Sequence, residues 1–168
     1  MVEAAVLLFF PILMVFAAFS DLLTMTISNR ISIGLVAGFI PLAYLTGSSG
    51  SLIFLHLGCG AAVLAITFSM FCFGWIGGGD AKLAAATAVW VGWEHLLDYS
   101  IFAAMLGGVL TLALLGARSL PLPQMLMRHA WIARLHDEKT GVPYGIALAA
   151  AGLLLYPETA VWLRAAAA

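Results

Sequence analysis

Two aspartates are the side chains of this chain best suited to chemistry. Asp80 follows three glycines in "WIGGGDAKLA", residues 75–84, and Asp21 closes an apolar run in "SDLLTMTISNR", residues 20–30. An ionised carboxylate costs at least ~2.5 kcal/mol near the centre of a bilayer, so an acid inside an apolar run is a candidate for function. Two carboxyl groups that share a proton cannot both ionise cheaply, so one stays protonated as an acid while the other activates water. That is the chemistry of aspartic peptidases, and it requires neither metal nor cofactor.

The elements that must position these acids follow from composition. Of 168 residues, 64% are hydrophobic and 9% charged, with a mean hydropathy of +1.09; soluble domains carry roughly 25% charged residues. The apolar runs are continuous rather than alternating, which favours membrane helices over a barrel. The fold expected is all-α, one membrane-embedded domain over residues 1–168. About six transmembrane helices are predicted, over 4–20, 31–45, 52–76, 81–93, 99–117 and 142–156, the last able to continue to Leu163. The first lacks a basic leader and a cleavage signal, so it reads as a retained helix.

Orientation follows from the basic residues. Arg30, Lys82, Arg118, Arg128, Arg134 and Lys139 fall in odd-numbered connections, with Arg164 alone on the other side. The odd connections are therefore expected in the cytoplasm and both termini outside, in the periplasm. Residues 118–141 form the long basic cytoplasmic connection, where a helix from Gln124 to His136 is plausible; its basic residues suggest contact with anionic lipid, but Arg134 falls among the apolar residues on a helical wheel, so a solvated loop is an equal reading. A net charge of −1 gives no reason to expect a nucleic-acid partner.

With Trp93 at the outer interface, Asp80 lies about 20 Å below it along a helix, submerged by roughly 10 Å of a 30 Å core. By the same topology Asp21 emerges on Asp80's side, although 59 residues separate them. Gly77, Gly78 and Gly79 are expected to break the third helix and start the next at Asp80, where the dipole favours an anion. A phosphate cradle would need the rest of the phosphate-loop pattern, which is missing. Cys59 and Cys72 stand about 20 Å apart along a helix, beyond disulfide reach, and neither has metal-ligand spacing. His56, His95, His129 and His136 pair with no Ser or Cys nucleophile at a recognisable spacing.

These residues resemble a known family. "GGGDAKL" is similar to the GxGD-x-K-L signature of type IV prepilin peptidases, with Gly77, Gly79, Asp80, Lys82 and Leu83 on the matching positions. "DLLTMTISNR" resembles their other aspartate motif, an Asp followed by Ile-Pro-Asn, here Asp21 with Ile27, Ser28 and Asn29; Ser28 stands in the proline position, for which a looser turn is expected. "VPYG", Val142 to Gly145, resembles a third shared stretch. The resemblance implies a membrane-embedded aspartic endopeptidase of the bacterial inner membrane. It would remove the basic leader of prepilins at the cytoplasmic membrane edge, with Asp21 and Asp80 catalytic and no cofactor. Gly77, Gly79, Lys82, Asn29 and Tyr144 would bind substrate or support the site. The short form resembles the peptidases of tight-adherence (Flp-type) pili, and without the paired CxxC domain of longer members, methylation of the new terminus is not expected. Two other readings stay open: a small proton-coupled transporter, and a non-enzymatic membrane subunit whose acids are interfacial.

Overall fold

The computed structural model describes residues 2–167, which are helical almost throughout, with no strand among them. In chain order the helices are α1 (Val2–Thr24), α2 (Asn29–Leu45), α3 (Gly50–Cys72), α4 (Gly78–Arg118), α5 (Gln124–Met127), α6 (Ala130–His136), α7 (Gly145–Leu155) and α8 (Ala160–Ala166); a 3-10 turn, Tyr156–Glu158, links the last two. Three are long and apolar enough to cross a membrane: Glu3–Thr24, Gly50–Cys72 and Gly78–Arg118. A fourth crossing is available if the segments Gly145–Glu158 and Ala160–Ala166, bent by 50°, are taken together. The count differs from the six predicted because α2 is a shorter apolar helix and the fourth and fifth predicted segments are one helical stretch with a break inside it.

That break is Gly92, at φ 67° and ψ −177°, a conformation essentially confined to glycine. The chain reverses there. Thr87 and Tyr99 would stand about 18 Å apart on a straight helix, yet Tyr99 lies beside Thr87 and within electrostatic reach of Asp80. Tyr144, also within reach of Asp80, donates to the Ala103 carbonyl across 3.2 Å. We call Gly78–Val91 the first limb of α4 and Trp93–Arg118 the second. The polar residues Glu94, His95 and Asp98 lie in the helical second limb, not in the connection predicted there.

His56 locks the reversal. Its Nδ1 lies 2.8 Å from the Val89 carbonyl, and its ring stacks on Phe39 at 5.2 Å. A Cβ at position 92 would come within 2.7 Å of the same ring. Gly92→Ala therefore adds backbone strain and overpacking together, and is expected to cost about 3 kcal/mol. His56→Ala, which frees one buried carbonyl, is expected to cost about 2 kcal/mol. Thermal melts in detergent check both, and unchanged midpoints would show that this contact does not hold the reversal.

The core is built on small and aromatic side chains, as close helix packing in a membrane requires. Along α1 the buried residues are Val6, Phe10, Met14, Ala17 and Asp21, while Leu8, Ile12, Phe16, Phe19 and Leu23 face outward. This is one helical stripe, and Asp21 is its last member. Trp90 sits at the centre, its indole N–H on the Leu35 carbonyl and its ring 5.1 Å from Phe10 and 5.4 Å from Phe39. Helix α7 presents Ala147, Ala149, Ala151 and Gly152 as buried contacts and packs against both α1 and α4.

Two local endings depart from expectation. Helix α3 stops at Cys72, short of the predicted Ile76, because Gly74 at φ +74° lets Gly74 N–H reach the Phe71 carbonyl and Trp75 N–H the Met70 carbonyl. These are the two bonds of a Schellman ending. The helix predicted from Gln124 to His136 is divided into α5 and α6 by Arg128 and His129, where His129 takes an extended backbone.

Candidate active site

Both aspartates are placed by helix ends. Asp21 lies in the last turn of α1, where the helix dipole opposes a negative charge. The start of α7 compensates: the Gly145 N–H donates to Asp21 Oδ2 across 2.8 Å, and the residue is 5% exposed. Just beyond, Met25 takes φ +55°, unusual for a residue with a side chain, and such strain gathers at functional sites. Side-chain hydroxyls hold that turn: Ser20 donates to the Thr26 carbonyl at 2.9 Å and Thr24 to the Ser20 carbonyl at 2.7 Å.

Asp80 is the third residue of α4, after the cap Gly77. Its carboxyl group folds back onto the Gly77 backbone, as the third residue of a capping box does. None of Gly77, Gly78 and Gly79 has positive φ. Their value here is close approach. A Cβ on Gly77 would lie 2.9 Å from Asp80 Oδ2, and one on Gly79 would lie 3.2 Å from the Cβ of Ile27. The predicted start of a helix at this point is borne out, although it is Gly74, three residues earlier, that adopts the left-handed backbone.

The two acids meet. Asp21, Met25, Thr26, Ile27, Gly77, Gly78, Gly79 and Asp80 line one cleft of about 280 Å3, and the two carboxyl groups are within electrostatic reach of each other. Two helix N-termini, those of α4 and α7, thus bear on a cleft with two acids. Ile27 is the spacer between them: its side chain touches the faces of both Gly79 and Gly145, and it is buried.

The other predicted residues divide. Gly77 and Gly79 line the cleft. Lys82 and Asn29 do not. The Lys82 ammonium donates to Asn29 Oδ1 at 2.9 Å, which ties the start of α2 to the start of α4 on the far side of the turn carrying Ile27. Tyr144 stands beside the cleft rather than in its wall, seated against Gly107 with its hydroxyl on the Ala103 carbonyl. Ser28 does not loosen the turn after α1: it caps α2, its hydroxyl accepting from Arg30 N–H at 3.3 Å. Its φ of −65° is one that proline also adopts.

Two contacts of the site are not announced by side-chain types. The first is the Gly145 N–H, a backbone group, although Gly145 itself closes the VPYG stretch. The second is Arg134, which donates to the Leu23 carbonyl at 2.7 Å and so fastens α6 onto the end of α1, two residues from Asp21. Arg118 fixes the same connection from its other end, reaching the Leu135 and Gly141 carbonyls. Arg134 falls among apolar residues on a helical wheel because that face turns toward the protein.

A sequence model described as the type IV leader peptidase family matches residues 8–112, a span that contains both aspartates and the cleft's glycines. No curated protein and no solved structure matches the chain.

Proposed function

Because the chain belongs to the type IV leader peptidase family, we propose that it is an aspartic endopeptidase that removes the basic leader of Flp-like type IV prepilins, using Asp21 and Asp80. The observation that carries this reading is the shared cleft of the two acids, brought together from opposite ends of a 59-residue separation. One carboxylate takes a proton from a water lying between them, and the water oxygen attacks the scissile carbonyl. The other, protonated, hydrogen-bonds the developing oxyanion. Collapse of the tetrahedral intermediate breaks the C–N bond as the leaving amine takes a proton from the pair. Asp21 is held through one oxygen by Gly145, which leaves the second free to face the water.

The chain is a membrane protein, as its family and apolar helices indicate. We place it in the bacterial inner membrane with six crossings: α1, α2, α3, the two limbs of α4, and α7 continued through α8. Both termini then face the periplasm and the cleft faces the cytoplasm. A prepilin's apolar helix lies alongside these segments while its basic leader stays in water, so the scissile bond reaches the membrane edge where the cleft opens. Tyr144, Lys82 and Asn29 act by holding the start of α7 and the turn after α1 rather than by touching the reacting atoms.

The test of function is co-expression with a small prepilin and detection of leader loss. An intact leader in the presence of folded protein would refute the reading. Topology is tested by single cysteines in the connection 118–141 and in the turn 46–49. A membrane-impermeant reagent applied from outside is expected to label the second and spare the first; the reverse pattern would overturn the orientation.

A further inference from the structure

A second cavity, about 540 Å3, shares no residue with the aspartate cleft. It is a groove between α2, α3 and the first limb of α4, lined by apolar side chains that include Val36, Leu57, Leu64 and Ala86. Its polar residues stand at one end. Lys82 and Asn29 form the mouth, and Ser32 lies one helical turn, about 4.5 Å, deeper along α2.

Ser32 is the informative residue. It is 8% exposed, and its hydroxyl has no hydrogen-bond partner; it does not even take the carbonyl four residues back, as a helical serine commonly does. A buried hydroxyl without a partner costs about 1–3 kcal/mol, so the groove offers a donor to whatever fills it. Lys82 is exposed at the mouth and has donors to spare, since an ammonium has three and its hydrogen bond here is to Asn29 Oδ1.

From this we infer that the groove binds one anionic glycerophospholipid. The phosphate sits on the Lys82 ammonium and the Asn29 amide, an ester carbonyl accepts from the Ser32 hydroxyl, and acyl chain lies along the apolar walls. The order of chemistry along the groove, cation, then hydroxyl, then hydrocarbon, is the order in which such a lipid presents phosphate, ester and tail. Because Asn29 begins α2 two residues after Ile27, and Lys82 follows Gly79 by three residues in α4, a bound headgroup also braces the frame of the cleft.

The test reads binding alone, so it does not depend on the peptidase reading. The 168-residue chain, stripped of lipid in detergent, is titrated with phosphatidylglycerol or phosphatidylcholine and followed by native mass spectrometry. Phosphatidylglycerol is expected to bind and phosphatidylcholine to bind about tenfold more weakly, with Lys82→Ala losing about tenfold and Lys82→Arg restoring it. Ser32→Ala is expected to lose roughly threefold. Ala61→Trp, which fills the groove and leaves Lys82 in place, is expected to abolish binding. Equal retention of the two lipids, or undiminished binding by Lys82→Ala or Ala61→Trp, would overturn the proposal. So would glycerol phosphate binding as well as the lipid, which would make the mouth a site for free phosphate esters. Displacement of the lipid by an apolar helical peptide bearing a carboxylate would assign the groove to a substrate helix and overturn it equally.

Discussion

Asp21→Asn and Asp80→Asn, made singly, are each expected to abolish leader removal from a co-expressed prepilin, with a loss of at least ~10³-fold. The carboxamide is nearly isosteric but cannot take a proton from water, so the chemistry is lost while the shape is kept. At position 21 the amide oxygen can still accept from the Gly145 N–H, which now donates to Asp21 across 2.8 Å; at position 80 it can still fold back onto the Gly77 backbone. Both variants should therefore melt close to the parent protein in detergent. The double variant separates this mechanism from two independent contributions. Groups that act as one unit are non-additive, so removing both acids should be no worse than removing either. Measurable cleavage by one single variant, with the protein folded and the parent active, would sink the paired-acid mechanism.

How much of this arrangement could be read in advance depends on which kind of signal fixed each part. The pair itself was legible, because charge is scarce in this chain and an acid in an apolar run is conspicuous. The stripe Val6, Phe10, Met14, Ala17, Asp21 is also present in the sequence as helical spacing, and it would have aimed Asp21 inward without any motif. The reversal at Gly92 was not legible. Glu94, His95 and Asp98 drew the predicted connection to themselves, but polar residues can remain helical at a membrane edge, whereas the turn needed a backbone conformation confined to glycine. Nothing in an apolar run distinguishes Gly92 from the glycines that remain helical until His56 is seen beside it. The partners of Asp21 and of Arg134 were hidden for a related reason: the Gly145 N–H and the Leu23 carbonyl are main-chain groups, identical at every residue. Lys82 shows a different limit. Its place in a motif suggested service to the acids, while its side chain turns to Asn29 and the groove, because residues 80 and 82 point to different sides of one helix.

Gly145→Ala should then be the most damaging substitution that changes no chemical group in the cleft. The added Cβ would lie 2.6 Å from Ile27 Cδ1 and 2.8 Å from Asp21 Oδ2, with Asp21 Cβ at 3.2 Å. Something must shift. Helix α7 cannot readily withdraw, since its small residues pack against both α1 and α4. Displacement therefore falls on Asp21 and Ile27. A catalytic group misplaced by about 1 Å can cost ~10²-fold, and that is the loss expected in leader cleavage, with a destabilisation of about 1–3 kcal/mol from overpacking. The N–H donor is still present, so the loss is one of position and not of hydrogen bonding. Two comparisons make the cause separable. Gly77→Ala meets only the tip of the Asp80 carboxyl, at 2.9 Å, and should lose less, about tenfold, because a short swing of the side chain relieves it. Ile27→Ala added to Gly145→Ala removes the aliphatic clash but not the clash with Asp21, so it should restore the melting temperature in part and leave cleavage impaired. If the double variant recovered cleavage fully, the damage would have come through Ile27. If Gly145→Ala alone cleaved at the parent rate, the Gly145 contact would not be what positions Asp21.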